Sequence, residues 1–330
     1  MSAIDLQARP DAGIHGALNG CPGARPPARH DDGPAGGWGF SAPLPPVRLS
    51  VELFPPKGAA ASMSLLDELD RLMTIRPSHF TVTCGAGGGG NDATADVVEV
   101  VGLHTGLPVA AHLTCVGRGR DEVDAVADAY RRSGVERIIA LRGDKPRDAP
   151  RYEPRPDGYA YASDLIAGLK RLHAGFEIGA ACYPETHPES AGDTAADTAN
   201  LERKVEAGAG RLIGQYCYDT DALLRFRDRL DAIGLAGHFV PGVMPIHNFR
   251  QVKAFSARCG ASIPPWLDAL FAGVEPDTPT HQMVAASVAA EQCRRLAAEG
   301  LTDLHVYCLN RADLTLALGQ LLGRGAMLAA

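Results

Sequence analysis

The sequence predicts an α/β protein whose parallel strands close into one (β/α)₈ barrel, the TIM-barrel architecture. Three observations carry this expectation. From residue 48 onward, short β-branched runs alternate with amphipathic helical patterns, which implies a parallel sheet with helical crossovers. Eight such units occupy roughly 280 residues, the count and size of a closed barrel. The strand-like runs also end in polar residues, as strands do where a barrel opens to its ligands.

The strands are read in order as "RLSVELF" (48–54), "HFTVTCG" (79–85), "PVAAHLT" (108–114) and "RIIALRG" (137–143). They continue as "EIGAACYP" (177–184), "RLIGQYCY" (211–218), "HFVPGVMP" (238–245) and "LHVYCLN" (304–310). Between them lie "SLLDELDRLMTI", "DEVDAVADAYRRSG", "SDLIAGLKRLHAG", "NLERKVEAGAG" and "DALLRFRDRLDAIG", several ending in the glycine that commonly closes a helix. The long interval before the last strand is expected to hold two helices, "FRQVKAFSARC" and "HQMVAASVAAEQCRRLAAEG". A doubly wound nucleotide fold is the alternative, because Gly85 to Gly90 literally fits GxGxxG after a strand. Four consecutive glycines match almost any glycine pattern, however, and the next strand offers His112 where that fold needs an acid for the ribose. A loop at a barrel mouth is the better reading.

A chain of 330 residues with 45 % hydrophobic content can bury one large core or two ordinary ones. A formal charge of -7 without a basic block argues against nucleic acid and anionic membranes as partners. No apolar run reaches the ~18 residues of a spanning helix, and the N-terminus lacks a basic-then-apolar signal pattern. Residues 1–47 hold 8 Gly and 8 Pro and are expected to be a disordered extension before a catalytic barrel over 48–330. Of the 8 cysteines, none form CxxC pairs, so no metal site is expected. Cys84, Cys115, Cys182, Cys217 and Cys308 fall in or just after strands, as small core thiols do in a reducing cytoplasm.

The polar strand ends, in order, are Glu52, Thr83, His112, Arg142-Gly143-Asp144, Tyr183 with Glu185 and His187, Gln215, the 245–248 turn and Asn310-Arg311. Any one of them is ordinarily a satisfied buried polar group. Their recurrence at the same end of successive strands points instead to one shared mouth, with Glu52 and Asp144 as its acids. No HExxH, nucleophile elbow or Walker loop is present, and His187 and Asp197 read as separate contacts. Arg203 and Lys204 fall early in the helix before the sixth strand, either on a solvated face or as phosphate contacts.

The segments "VELFPPK", "TVTCGAGG", "AAHLTC", "ALRGDKP", "YASDLI", "YPETHPE", "NLERKVEAGA", "QYCYD", "PGVMPI", "NFRQVKAF" and "LNRA" follow the strands one after another from about 48 to 315. In this order the chain resembles methylenetetrahydrofolate reductase of the bacterial type, which has a catalytic barrel only. The resemblance implies an FAD enzyme that takes a hydride from NADH or NADPH and reduces 5,10-methylenetetrahydrofolate to 5-methyltetrahydrofolate, the methyl source for methionine synthesis. It implies small-molecule substrates and a cytoplasmic homo-oligomer, with no nucleic-acid or membrane partner.

The resemblance also implies site roles. Glu52 matches the general acid. Thr83, His112, Arg142, Gly143 and Asp144 match flavin-ring contacts, with Asp144 also facing the pterin. Tyr161, Ala162, Tyr183 and His187 match further FAD contacts, and Asp197, Asn200, Arg203 and Lys204 match residues that hold its ribityl, phosphate and adenosine portions. Gln215, Gln251 and Arg311 match substrate contacts, and Phe255 an aromatic that stacks on the nicotinamide. The chain departs from the family pattern at Cys84, where an aromatic is usual, at "QYCYD" in place of a phenylalanine-rich run, and at Lys57 in place of arginine. The loop between His187 and Asp197 is about one residue longer. The tail beyond 315 is short, so the S-adenosylmethionine-binding regulatory domain of animal and fungal relatives is not expected.

The chemistry explains the acid in "VELFPPK". The methylene bridge accepts a hydride poorly until N10 is protonated and leaves, giving an N5-iminium cation. That step needs a carboxyl still protonated near neutral pH, and burial in an apolar strand end raises a carboxyl's pKa. Asp144 is expected to stay ionised and stabilise the cation. A related flavin barrel acting on another C1 carrier, or using a partner electron donor, remains an alternative, as does a catalytically inactive flavin- or folate-binding protein.

Overall fold

The computed structural model describes residues 45–84, 91–145, 149, 151–190 and 192–324, with the side chains of 91–93 excepted. The N-terminal extension lies outside these residues except at 45–47, and the glycine run 85–90 lies outside them entirely.

One parallel sheet forms the centre. Its strands are β1 (Arg48–Leu53), β2 (Phe80–Val82), β3 (Val109–Thr114), β4 (Arg137–Leu141), β5 (Glu177–Cys182), β6 (Arg211–Gly214), β7 (Phe239–Val240), β8 (Gly242–Val243) and β9 (Asp303–Tyr307). Their order is β7-β6-β5-β4-β3-β2-β1-β9-β8. Except for β7 and β8, which follow each other at the two ends of this order, each strand pairs with the next in the chain and β9 returns to β1, so the sheet curls into a barrel and lacks the reversal of a doubly wound nucleotide fold. The expected seventh strand is present but split. Pro241 has no N–H to give a ladder, so the stave is broken there. Its first half pairs with β6 and its second with β9. The break still serves the sheet, because Pro241 O accepts from His305 N at 2.9 Å. Only glycine fits beside it: a Cβ on Gly242 would lie 2.1 Å from Gly214 O and 2.6 Å from the Tyr307 ring.

Along β1, Leu49, Val51 and Leu53 are fully buried in the layer between sheet and helices, while Ser50 and Glu52 alternate to the barrel interior. The helices supply the other half of that layer at helical spacing. Leu65, Leu69 and Leu72 do so from α1 (Ala59–Met73), and Val123, Ala127 and Tyr130 from α3 (Arg120–Arg132). Three helices, not two, precede β9: α7 (Phe249–Cys259), α8 (Pro265–Leu270) and α9 (Pro279–Ala298). The additional one, α8, has 6 residues and opens on Pro265, too short to show a helical period in sequence. Helix α5 (Thr194–Glu206) begins earlier than expected, at an Asp193 cap that accepts from Ala195 N and Ala196 N at 3.0 Å. Arg203 and Lys204 therefore occupy its last turn rather than its first.

The interior carries an unusual burden of imidazole. His79, His112 and His305 are each 2 % exposed or less. Burial lowers His79 and His112 from the usual 6.5 to about 3 and depresses His305 as well. Their folded pKa values lie below the unfolded value, so between about pH 6.5 and 3 the unfolded chain binds more protons. Their contribution to stability is therefore complete above pH 6.5 and is lost as pH falls, at up to about 1.4 kcal/mol per pH unit for each ring. The urea midpoint is expected to drop steadily from pH 6.5 to 5 and to stay flat from 7 to 8. A midpoint flat across both ranges would show that these rings charge without unfolding.

Candidate active site

A cleft of about 310 Å³ opens at the C-terminal ends of β2 to β5. Of the residues expected around a flavin, Thr83, His112, Arg142, Gly143, Asp144, Tyr161, Ala162, Tyr183, His187, Asp197, Asn200 and Lys204 line it. Arg203 does not. It is exposed and hydrogen-bonds to Asn200 Oδ1, which brings its charge to the rim through a residue that does line the cleft.

The wall after β4 is shaped by Gly143. Its φ is +88°, and a Cβ there would meet Val116 Cγ1 at 2.4 Å, so only glycine lets this turn close against the β3 loop. Beside it, Arg142 lies 4.3 Å over the Tyr152 ring and makes a two-pronged ion pair with Glu189 at 2.6 and 2.8 Å. The guanidinium holds the Glu189 carboxyl below its usual range. Glu189 lines the cleft too, although it was assigned no role from sequence. The signal was present, since it closes the motif "YPETHPE", but a surface glutamate in a loop reads as solvated. Cys84, Thr114, Ser163 and Ser190 are further lining residues that strand-end reading passed over.

His187 and Asp197 are not separate. Asp197 Oδ2 accepts from His187 N at 2.6 Å, and Oδ1 accepts from Ser190 Oγ. The Asp197 carboxylate thus folds the longer loop back onto α5, and the His187 ring packs edge-on against Tyr183 with centroids 4.6 Å apart. Lys204 Nζ donates to Ala181 O at 2.7 Å, and burial lowers its pKa. An ammonium has three donors, so this contact leaves two for a ligand. A second set of donors comes from α4 (Ala162–Leu172), whose opening residues Ala162 and Ser163 line the cleft. The first N–H groups of a helix have no partner within it and favour anions. The half-buried lysine ammonium and the helix start suit an anionic ligand.

Glu52 is outside the cleft lining, 12 % exposed, and adjoins it through His112, which lines the cleft. Its Oε2 is 3.7 Å from His112 Nε2 and 3.7 Å from His305 Nε2. Both rings are held neutral by burial, so neither supplies a cation that would favour the carboxylate. The strand carrying Glu52 is clamped where it ends. Asn310 Nδ2 donates to Phe54 O at 2.8 Å, and its Oδ1 accepts from Phe54 N at 3.0 Å. Asn310 holds φ +53°, a left-handed conformation that asparagine tolerates better than most residues.

The other residues expected at the substrates, Gln215, Gln251, Phe255 and Arg311, are outside the cleft lining. Gln215 is 5 % exposed at the end of β6, with its Oε1 accepting from Tyr216 N at 2.9 Å. Phe255 in α7 lies near-parallel to Tyr216 at 18° and 6.0 Å. Gln251 is exposed in the first turn of α7, and Arg311 is half-buried after β9.

The family profile of methylenetetrahydrofolate reductase matches residues 46–323. The chain belongs to this family. It is 39 % identical over 277 residues to the 5,10-methylenetetrahydrofolate reductases of Pectobacterium carotovorum and Escherichia coli, covering 84 % of this chain and 90 and 91 % of theirs. It is 31 % identical to methylenetetrahydrofolate reductase (NADH) 1 of Arabidopsis thaliana, spanning 46 % of that longer protein. Among solved structures, an uncharacterized Clostridium thermocellum protein that binds two copies of 5-methyl-5,6,7,8-tetrahydrofolic acid aligns with a TM-score of 0.52. That alignment covers 84 % of this chain and 94 % of the other at 12 % identity, a likeness of fold alone. This member of the family is a parallel α/β barrel. No helix among the described residues is long and apolar enough to cross a membrane.

Proposed function

We propose that this chain reduces 5,10-methylenetetrahydrofolate to 5-methyltetrahydrofolate with FAD as cofactor and NADH or NADPH as reductant. The carrying observation is Glu52, a carboxyl between two neutral imidazoles, one of which lines the cleft assigned to the cofactor. FAD, when bound, supplies the hydride chemistry. The residues of the chain do the rest. Lys204, the start of α4 and, through Asn200, Arg203 hold the anionic portions of the cofactor. Gly143 and His112 flank its ring. Asp144, an exposed acid of the cleft lining, faces the pterin and offsets the cation formed on it. Glu52 keeps a proton in its neutral surroundings and gives it to N10, so that the folate ring opens only inside the site. Gln215, Gln251 and Arg311 position the folate, and Phe255, braced by Tyr216, offers a face to the nicotinamide.

The test is a pair of anaerobic half-reactions on the purified protein loaded with FAD. NADH and NADPH are each expected to bleach the flavin absorbance, and methylenetetrahydrofolate to restore it with formation of methyltetrahydrofolate. Bleaching without restoration would favour another C1 carrier. No bleaching by either nucleotide would favour a separate electron donor. The relatives at 39 % identity are reductases of this folate, which leaves neither alternative favoured.

A further inference from the structure

The loop after β5 lines the cofactor cleft with Tyr183 and His187, yet the residues interleaved with them turn elsewhere. Glu185 is outside the cleft lining. One oxygen of its carboxylate accepts from Ser262 N at 3.0 Å, and the other accepts from Ser262 Oγ. Pro188 packs against Gly260, where a Cβ would lie 2.7 Å from the proline Cγ. Gly260 and Ser262 directly follow α7, the helix that carries Gln251 and Phe255. The two residues that reach α7 thus lie on either side of His187, a cleft residue. Thr186, between Glu185 and His187, has φ +73°, a left-handed conformation unfavourable to a β-branched side chain. Such a conformation persists only where its surroundings over-determine it. Here both neighbours are fixed, Glu185 by Ser262 and His187 by its N–H to Asp197 Oδ2 at 2.6 Å. Thr186 N closes the turn by donating to Tyr183 O at 3.1 Å.

The start of α7 is secured separately. Asn248 Oδ1 accepts from Gln251 N at 3.1 Å, and Phe249 N donates to His281 Nε2 at 3.2 Å. Toward its other end, Tyr216 OH lies 2.9 Å from Ser256 Oγ and 3.1 Å from Cys259 Sγ. Glu185 adds a carboxylate acceptor at that end, and hydrogen bonds to an ionised acceptor are the stronger kind. We propose that Glu185 and Ser262 are positioning residues that join the flavin loop to α7: the carboxylate fixes the C-terminal end of the helix against the cofactor cleft, so that Gln251 and Phe255 stand in place for their substrates. The inference rests on the roles proposed above for His187 toward the cofactor and for Gln251 and Phe255 toward the substrates. Asp197 secures the cofactor half of the loop and Glu185 the α7 half, so substitution can separate the two.

The experiment uses the FAD-loaded full chain with Glu185→Ala, Glu185→Gln and Ser262→Ala. Alanine in place of Glu185 removes both acceptors. KM for NAD(P)H and for methylenetetrahydrofolate should each rise about tenfold, the loss expected of one hydrogen bond to a charged group. Both kcat and FAD retention should stay within about threefold of the parent, because His187 keeps its Asp197 contact. Glutamine can accept from Ser262 N and donate to Ser262 Oγ, so Glu185→Gln should restore most of the KM. Ser262→Ala keeps the backbone contact and should raise KM by about threefold. Hydrogen exchange of the α7 amides is a readout independent of turnover. It should quicken about tenfold in Glu185→Ala while exchange across α3 stays as in the parent. Parent-like KM and α7 exchange in Glu185→Ala overturn the proposal. A fall in kcat and FAD retention with KM unchanged also overturns it and makes Glu185 a general support of the loop. Should Glu185→Ala not fold, Ser262→Ala decides by the same measures. If the parent turns over neither NAD(P)H nor the folate, the proposed function fails, and α7 exchange alone decides whether Glu185 holds the helix.

Discussion

Glu52→Gln is expected to leave flavin reduction by NAD(P)H within about tenfold of the parent, while reoxidation by methylenetetrahydrofolate falls by ~10²–10⁴, the contribution of general acid catalysis. The two half-reactions share one cleft, but only the folate half needs a proton at N10. Glutamine preserves the shape of the side chain between His112 and His305, whose Nε2 atoms both lie 3.7 Å from the carboxyl. It also keeps a hydrogen-bond donor, yet it has no proton to transfer. Both neighbouring rings are neutral, so an amide in place of a neutral acid disturbs the local charge little. Stopped-flow absorbance of each half-reaction measures the split. Near-normal folate turnover would remove Glu52 as the acid. An equal loss in both halves would make it a structural residue whose replacement disturbs the flavin.

The second large effect is expected at the cationic side of the cleft. Replacing Arg203 and Lys204 together by alanine should weaken FAD retention by ~10²–10⁴, since a charged hydrogen bond contributes roughly 1.5–3 kcal/mol and 1.4 kcal/mol is tenfold. The structure divides this loss unequally. Lys204 lines the cleft from a half-buried position, whereas Arg203 is exposed and reaches it through Asn200. Lys204→Met, which keeps the stem and removes the charge, should therefore account for most of it. Both residues lie in the last turn of α5, where the helix end carries partial negative charge, so the α5 backbone itself offers an anion nothing. The donors must come from the side chains and from the start of α4. Equilibrium dialysis against FAD, with circular dichroism to confirm an intact barrel, measures the effect. A double variant that holds FAD as the parent does would make the phosphate assignment wrong.

Much of this protein was legible in its sequence, for a definite reason. In a parallel barrel each strand is buried on both faces and reads as a short apolar run. Each crossover is long enough to show a helical period, so the alternation of the two survives in one dimension. Polar residues at strand ends stand out against that background. Glu52, His112, Arg142 and Gln215 do so. The short helix Pro265–Leu270 and the stave broken at Pro241 escaped, because each is too brief to establish a period.

What the sequence alone determined was the barrel, the family and which strands end in polar residues. What only the tertiary structure decided was which of them touch. Period in a sequence says which face a side chain takes, while register between strands remote in the chain says what stands opposite it. His305 lies in "LHVYCLN" as one more inward strand residue, and nothing local marks it. It becomes a partner of Glu52 because β9 pairs with β1 in a register that sets His305 against Ser50. The same holds for Asn310, which clamps Phe54 across that strand pair. It holds for Asp197, whose carboxylate reaches His187 N only when the loop turns back on α5, and for Glu189, which finds Arg142 from another strand end. Ring closure is a long-range event. It brings the first strand and the last together, and with them the acid and the imidazole beneath it.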